Sequence, residues 1–392
     1  MGEPTTGSDA VDDSELEALA QAVRRFTREV LVPAEKEVER TAEIPDAIAG
    51  QLRALGLFGM TVPQRYGGLG LSMYQEVRLV FEVAYASPVF RSFFGTTNGV
   101  GTLGIISSGT ELQRQTYLPR IASGELMTSF CLTEPDSGSD AASLTTQAVR
   151  DGDHYVINGT KRFITNAVHA GLFTVFARTG TKESRANGIS AFLVERDTPG
   201  LTVTRPYEKM GFRGSHESDV IFEDCRVPAS AMLGPEGTGF KSAMRSLDHA
   251  RLHMAAVATG QCERLIDEGV RYATERRQFG KPIAEFQMIQ AMLADSQAEA
   301  FAARAMVEKA ARDKDGGRNV TMDAACCKYF ATEAAGRIAD RVLQIHGGAG
   351  YIKEYPIERL YRDVRLLRIY EGTSQILQLI VARELLREKG PR

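Results

Sequence analysis

The chain has 392 residues, 43% of them hydrophobic and 25% charged, with a formal net charge of −3. That balance is globular, long enough for two or three domains, and too close to neutral for a nucleic-acid-binding surface. No apolar run reaches the ~20 residues of a membrane-spanning helix, so no membrane partner is expected.

The first 17 residues are polar and acidic, with neither a basic-plus-apolar signal nor an Arg-rich transit pattern. A cytoplasmic protein is therefore expected. Met1-Gly2-Glu3-Pro4-Thr5-Thr6 fits the letters of a myristoylation pattern, but its acidic flank would repel anionic lipid. Five cysteines (Cys131, Cys225, Cys262, Cys326, Cys327) have neither disulfide nor metal-ligand spacing and point to a reducing compartment.

Helical patterning starts at Ser14, where Leu16, Leu19, Val23, Phe26 and Val30 recur every three to four residues. Further helices are predicted over 44–57, 72–87, 90–107 and 111–122, with Gly67-Gly68-Leu69-Gly70 as a break. From Thr128 the texture changes. Residues 173–177, 189–195 and 220–223 are short β-branched or aromatic runs, punctuated by Asp151-Gly152, Asn158-Gly159 and Thr198-Pro199-Gly200. Closely spaced strands without helices between them predict an antiparallel barrel or sandwich. After Leu233-Gly234, residues 237–275, 283–313 and 319–345 read as long Ala-rich bundle helices. The order helical, β, helical excludes a parallel α/β sheet, which would alternate its elements. The expected class is α+β, mainly α, in three domains: 1–127, 128–233 and 234–392.

Several stretches are candidates for chemistry. In Ile369-Tyr370-Glu371-Gly372-Thr373-Ser374-Gln375 one carboxylate precedes an amphipathic helix that Thr373 or Ser374 can cap. Unpaired N–H groups and the helix field favour a negative charge there. Alone, this is equally a capped helix start beside an acidic loop. Leu132-Thr133-Glu134-Pro135-Asp136-Ser137-Gly138-Ser139-Asp140 is a loop of converging hydroxyl and N–H groups, suited to a phosphate or a polar ring edge, or a plain turn. In Lys161-Arg162-Phe163-Ile164-Thr165-Asn166-Ala167 strand alternation puts Phe163 and Thr165 on one face, which suits a flat heterocycle or a half-buried strand. Arg276 and Arg277, before Gln278-Phe279-Gly280, suit a helix C-terminus or a pyrophosphate. Gln344-Ile345-His346-Gly347-Gly348-Ala349-Gly350-Tyr351 is glycine-rich but lacks the dinucleotide fingerprint, and His346 reads as a packed histidine.

Taken in order, these stretches, together with Lys209 to Ser215, resemble the acyl-CoA dehydrogenases over nearly the whole chain. The resemblance implies an N-terminal helical domain, a middle antiparallel β-barrel and a C-terminal four-helix bundle. It also implies a homotetramer with one FAD per subunit, completed by a neighbour. The implied reaction is oxidation of an acyl-CoA to the trans-2-enoyl-CoA, as in β-oxidation, with electrons passed to an electron-transfer flavoprotein. Glu371 matches the base that takes the α-proton while the flavin takes the β-hydride. Phe130, Leu132, Thr133 and Ser139 match residues around the flavin, and Ser139 also approaches the thioester. Phe163 and Thr165 match the pair at the ring. Arg276, Phe279, Gln287, Gln344 and Gly348 match contacts to a partner subunit's FAD, and Thr373 and Gln375 match contacts to the adenosine diphosphate portion of FAD. Asp248 and Arg251 match CoA-substrate contacts, and Tyr370 and Gly372 flank the acyl site.

Three departures bear on the reading. Phe163 stands where most relatives have Trp. Ala250 occupies the place where some relatives carry the base, so Glu371 has no rival. Val89-Phe90-Arg91-Ser92 resembles the segment where glutaryl-CoA dehydrogenases hold a distal carboxylate, which makes Arg91 a tentative substrate contact. Small residues from Gly95 to Gly101 favour a medium, long or branched acyl chain. An acyl-CoA oxidase, a carrier-protein-linked dehydrogenase and a non-enzymatic acyl-CoA-binding protein are the alternatives.

Overall fold

The structure is a computed structural model and describes residues 11–390. The Met1–Thr6 pattern lies outside them.

The N-terminal part is helical: α1 (Asp13–Phe26), α2 (Val32–Thr41), α3 (Asp46–Ala54), α4 (Met73–Val83), α5 (Pro88–Asn98), α6 (Val100–Ser108) and α7 (Glu111–Ala122). One π-turn over Thr27–Leu31 joins α1 to α2 without a break. Helix α1 is capped by Asp12 in a reciprocal box with Glu15. Ser72 with Gln75 and Thr110 with Gln113 repeat that device at α4 and α7. The expected single helix over 90–107 is split at Gly99. At the break the Thr61 hydroxyl donates to the Asn98 carbonyl at 2.6 Å.

The middle part holds β1 (Thr128–Cys131), β2 (Gln147–Asp151), β3 (His154–Thr165), β4 (Leu172–Arg178), β5 (Ile189–Glu195), β6 (Leu201–Val203) and β7 (Glu217–Pro228). They form one sheet in the order β1-β4-β2-β3-β7-β6, with β5 along the other edge of β4. Four pairings are antiparallel, as expected. β4 also pairs in parallel with β1 and, at one residue, with β2. The chain between β1 and β4 is long enough to supply the crossover that a parallel pairing needs. β3 and β7 slip register between Lys161 and Ile164, so a bulge falls at Arg162-Phe163.

The C-terminal part has α8 (Gly239–Glu275), the small hairpin β8 (Arg277–Gln278) and β9 (Lys281–Pro282), then α9 (Gln287–Asp315), α10 (Thr321–His346), α11 (Ile357–Leu367) and α12 (Ser374–Lys389). α8 is the axis of the fold. Ala250 to Cys262 is buried along its whole length, because neighbours cover every face. Alanines and Gly260, whose Cβ would meet the Phe81 carbonyl at 2.7 Å, let α4 pack closely against it. One apolar core runs from α1 and α4 through α8 to α9, α10 and α11. A second joins α6 and α7 to the sheet, and a third fills the sheet itself. Sheet, α8 and the loop before α12 thus converge on one cleft.

Candidate active site

That cleft is a cavity of about 1200 Å³. It exceeds the roughly 300–1000 Å³ of an ordinary ligand pocket and leaves room for two large ligands. Phe130, Leu132, Thr133, Ser139, Phe163, Thr165, Asp248, Arg251, Tyr370, Glu371, Gly372 and Thr373 all line it. A chamber of about 40 Å³ lies beyond it, sharing Thr165, Tyr370 and Glu371 and adding Arg91, Gly95, Ala250 and His253.

Three aromatic or acidic residues at the cleft hold left-handed backbone that disfavours side chains: Phe163 (φ 58°), Phe212 (φ 56°) and Glu371 (φ 58°). Such strain concentrates where surrounding structure over-determines it, commonly at functional sites. At Phe163 the β3 bulge supplies the turn and leaves the ring 59% exposed on the cavity wall, against Tyr207. Behind it, Lys161 is fully buried. Its ammonium donates to Glu134 at 2.7 Å and to the Leu132 carbonyl at 3.3 Å. Burial pushes the Glu134 carboxyl up, but Lys161 and the donors of Thr145 and Thr146 outweigh it and hold it at about 2. This pair fixes the Leu132–Asp140 loop against β3.

Glu371 follows α11 and precedes α12, which Thr373 caps through its hydroxyl, accepting from the Ile376 N–H at 3.3 Å. Its Oε2 is buried without a hydrogen-bond partner. Its N–H also donates to no group among the described residues. Burial raises its pKa, opposed by the cations Arg91, Lys328 and Arg251. Glu371 lines both the cleft and the chamber, and a residue with an unpaired carboxylate oxygen and an unpaired N–H can supply a base and a carbonyl-polarising donor together. Beside it, Arg251 donates to Asp248 at 2.7 Å, and Asp248 accepts from Thr321 at 2.7 Å.

The chamber is walled by a buried polar chain that the sequence reading missed. Arg91 donates to His253 Nδ1 at 2.8 Å, and Lys314 donates to His249 Nδ1 at 2.8 Å. The Nε2 atoms of both rings face Glu76, at 2.8 Å from His253 and 3.1 Å from His249. Burial, against the pull of Glu76, brings His253 down to about 4. Burial pushes Glu76 up, but the two histidines outweigh it and hold it well below the usual carboxylate range. Two neutral imidazoles thus link an anion to a cation at each end. The visible signal was His249 and His253, one helical turn apart in an apolar stretch.

Arg276, Phe279, Gln287, Gln344 and Gly348 do not reach this cavity. They are exposed and gather at the far end of the bundle, roughly 37 Å along α8 from Arg251 at ~1.5 Å per residue. Phe279 is 92% exposed. Gln375 is exposed on α12 and lines neither space. His346 is packed as expected: buried, stacked on Tyr272 at 4.2 Å and bonded to the Val342 carbonyl.

A flavin nucleotide fits what lines the cleft. Phe163 offers a ring face, Thr165 a hydroxyl on the same wall, and Lys241, Arg245 and Arg387 offer cations for phosphates.

Comparison with known proteins gives the same answer for the whole chain. Residues 13–125, 129–225 and 237–386 match the N-terminal, middle and C-terminal domains described for acyl-CoA dehydrogenases. A probable acyl-CoA dehydrogenase of Bacillus subtilis, YngJ, is 43% identical, covering 95% of this chain and 98% of the relative. The caffeyl-CoA reductase-Etf complex subunit CarC of Acetobacterium woodii is 39% identical, covering 94% and 96%. The structure of butyryl-CoA dehydrogenase from Megasphaera elsdenii superposes with a TM-score of 0.92 at 35% identity, covering 97% and 100%. With the site and all three domains in agreement, the chain belongs to the acyl-CoA dehydrogenase family, oxidoreductases that act on CH–CH bonds.

Proposed function

We propose that this protein is an FAD enzyme that dehydrogenates a short-tailed acyl-CoA between Cα and Cβ, with Glu371 as the base. The observation that carries this is Glu371 itself: a buried carboxylate oxygen and an N–H, both unpaired, on a strained turn between cavity and chamber. The Glu371 N–H donates to the thioester carbonyl and stabilises charge as the α C–H is broken. Its carboxylate takes the α-proton. Burial makes it a stronger base, while Arg251, Lys328 and Arg91 keep it ionised. Phe163 and Thr165 hold one face of the flavin, and Leu132, Thr133 and Ser139 its edge. Bound FAD supplies the acceptor for the β-hydride. The three-domain division at 127/128 and 233/234 goes with this reading.

The chamber sets the tail. At ~10–15 Å³ per water-sized probe it takes on the order of three or four heavy atoms, which disfavours the medium, long or branched chain expected from Gly95 to Gly101. The small residues serve the protein instead: a Cβ at Gly95 would lie 2.6 Å from Arg91 Cζ, so Gly95 makes room for the guanidinium. Arg91 Nε is buried without a partner. A tail ending in a carbonyl, hydroxyl or carboxylate satisfies it. The Arg276–Gln344 end of the bundle, with exposed Phe279, Met288 and Tyr351, suits contact with a second copy and its FAD. An electron-transfer flavoprotein is the electron partner, as CarC's description suggests for that relative. CarC is named a reductase, so the same site runs toward the saturated thioester when the flavin is supplied with electrons.

A panel of acyl-CoAs scored by anaerobic flavin bleaching tests this. Short chains with a polar tip bleach fastest; rapid bleaching only by long saturated chains contradicts the assignment of the chamber.

A further inference from the structure

Lys328 is a lone cation in an otherwise small and apolar stretch of α10, Ala324-Ala325-Cys326-Cys327 before it and Ala331 after. It is fully buried. Its ammonium makes no salt bridge with any carboxylate among the described residues. Instead it donates to the Tyr370 carbonyl at 2.7 Å and to the Gly372 carbonyl at 2.6 Å. These carbonyls flank Glu371 on either side. Between them the chain is left-handed twice, with φ of 58° at Glu371 and 95° at Gly372. A carboxylate-bearing residue does not hold that conformation unaided, and the peptide groups around it find few other partners.

We infer that Lys328 is the positioning residue of Glu371: by tying the two flanking carbonyls to one ammonium, it holds the left-handed turn that presents both the carboxylate and the Glu371 N–H to the thioester. This rests on the reading of Glu371 as the base. Two bonds to carbonyls two residues apart close the turn like a clasp. Released, Glu371 relaxes toward ordinary backbone, and its N–H and carboxylate swing together away from the substrate. Both functions are lost at once, because both hang on one residue.

The clasp is also an electrostatic neighbour. Burial brings Lys328 down to about 7, opposed by Glu371 and reinforced by Arg251, with Glu333 on its own helix opposing. Arg91 faces Glu371 from α5. A neutral amine keeps two N–H donors, so the turn survives deprotonation, but the positive charge that helps ionise Glu371 does not. The presence of Lys328 therefore sets where Glu371 gains its charge.

The experiment uses the FAD-loaded enzyme and three proteins: parent, Lys328→Met and Lys328→Arg. Three quantities are read: hydrogen exchange of the 370–373 backbone by mass spectrometry, the rate of flavin bleaching by an acyl-CoA in one turnover, and the pH of its acid limb. Lys328→Met should exchange faster at 370–373 and bleach roughly 10²-fold more slowly, as a misplacement of about 1 Å in a reacting group costs. Its acid limb should move to higher pH, since Glu371 has lost a cation. Lys328→Arg, a permanent cation with donors for both carbonyls, should restore the acid limb to the parent's position or below it. Parental exchange and bleaching in Lys328→Met overturn the inference. So does an acid limb in Lys328→Arg raised above the parent's, which also decides the matter if the Met variant does not fold. Glu371→Gln separates the two readings: if that variant bleaches normally, the base assignment fails whatever Lys328 does. If it is inactive while Lys328→Met is parental, only the clasp fails.

Discussion

Glu76→Gln perturbs the fold at a deeply interior charge. Glu76 is 1% exposed and receives the Nε2 atoms of His249 and His253. Both imidazoles spend their Nδ1 lone pairs on cations, Arg91 and Lys314, so both Nε2 atoms must carry hydrogen. The Glu76 carboxylate accepts from His249 at 3.1 Å and lies 2.8 Å from His253 as a charge contact. Both Nε2 atoms approach the same oxygen, Oε2, so a glutamine can keep those contacts through its one oxygen, and what it removes is the charge. The substitution also leaves two buried cations without their shared anion. Removing one partner from a buried ionic group costs about 3–5 kcal/mol. At roughly 2–4 °C per kcal/mol for chains of 150–250 residues, and less for a longer one, the apparent Tm should fall by roughly 5–15 °C. Thermal melts followed by circular dichroism at neutral pH, at one protein concentration, measure it. A variant melting within about a degree of the parent would refute the assigned charges, because a neutral Glu76 predicts little loss.

Other outcomes follow from single contacts. Lys161→Met strands the buried Glu134 carboxylate and should cost about 3–5 kcal/mol; the loosened 132–140 loop should weaken FAD retention, read by fluorescence titration. Gly95→Ala places a methyl 2.6 Å from Arg91 Cζ and should slow turnover of a polar-tipped acyl-CoA more than that of a plain short one. Asp363, 1% exposed, accepts from the Phe212 N–H at 2.7 Å and from Ser87 at 3.0 Å. Burial pushes it up from 3.8 to about 6. A raised acid binds its proton more tightly when folded, so its contribution is full below pH 3.8 and is lost as pH rises through about 6. Asp363→Asn cannot titrate, so its stability relative to the parent should improve by about 3 kcal/mol between pH 4 and 7, at about 1.4 kcal/mol per pH unit. A flat difference across that window contradicts the buried acid.

Periodicity alone reveals much of the scaffold. α8, α9 and α10 appear as long Ala-rich runs because a helix buried on several faces has little polar interruption. The break at Gly99 was not read from periodicity; there the Asn98 carbonyl accepts from Thr61, 37 positions away in sequence. α11 went unread between the glycine-rich loop and Glu371, although its Ile357, Leu360, Val364 and Leu367 are spaced for one buried face. The parallel pairings of β4 depend on a return of the chain that local pattern does not encode. At the site, Glu371, Phe163 and Thr165 could be located by motif. Lys328 and Glu76 could not, since each acts by touching groups distant in sequence, and the two histidines left only their spacing as a signal.

The central claim is that Glu371 removes the α-proton, and Glu371→Gln tests it directly. The variant should fold, hold FAD and bind acyl-CoA, since the change is isosteric and the carboxylate oxygen it replaces has no structural partner. Mixed anaerobically with an acyl-CoA that bleaches the parent, its flavin should stay oxidised. Bleaching at the parental rate would contradict the account.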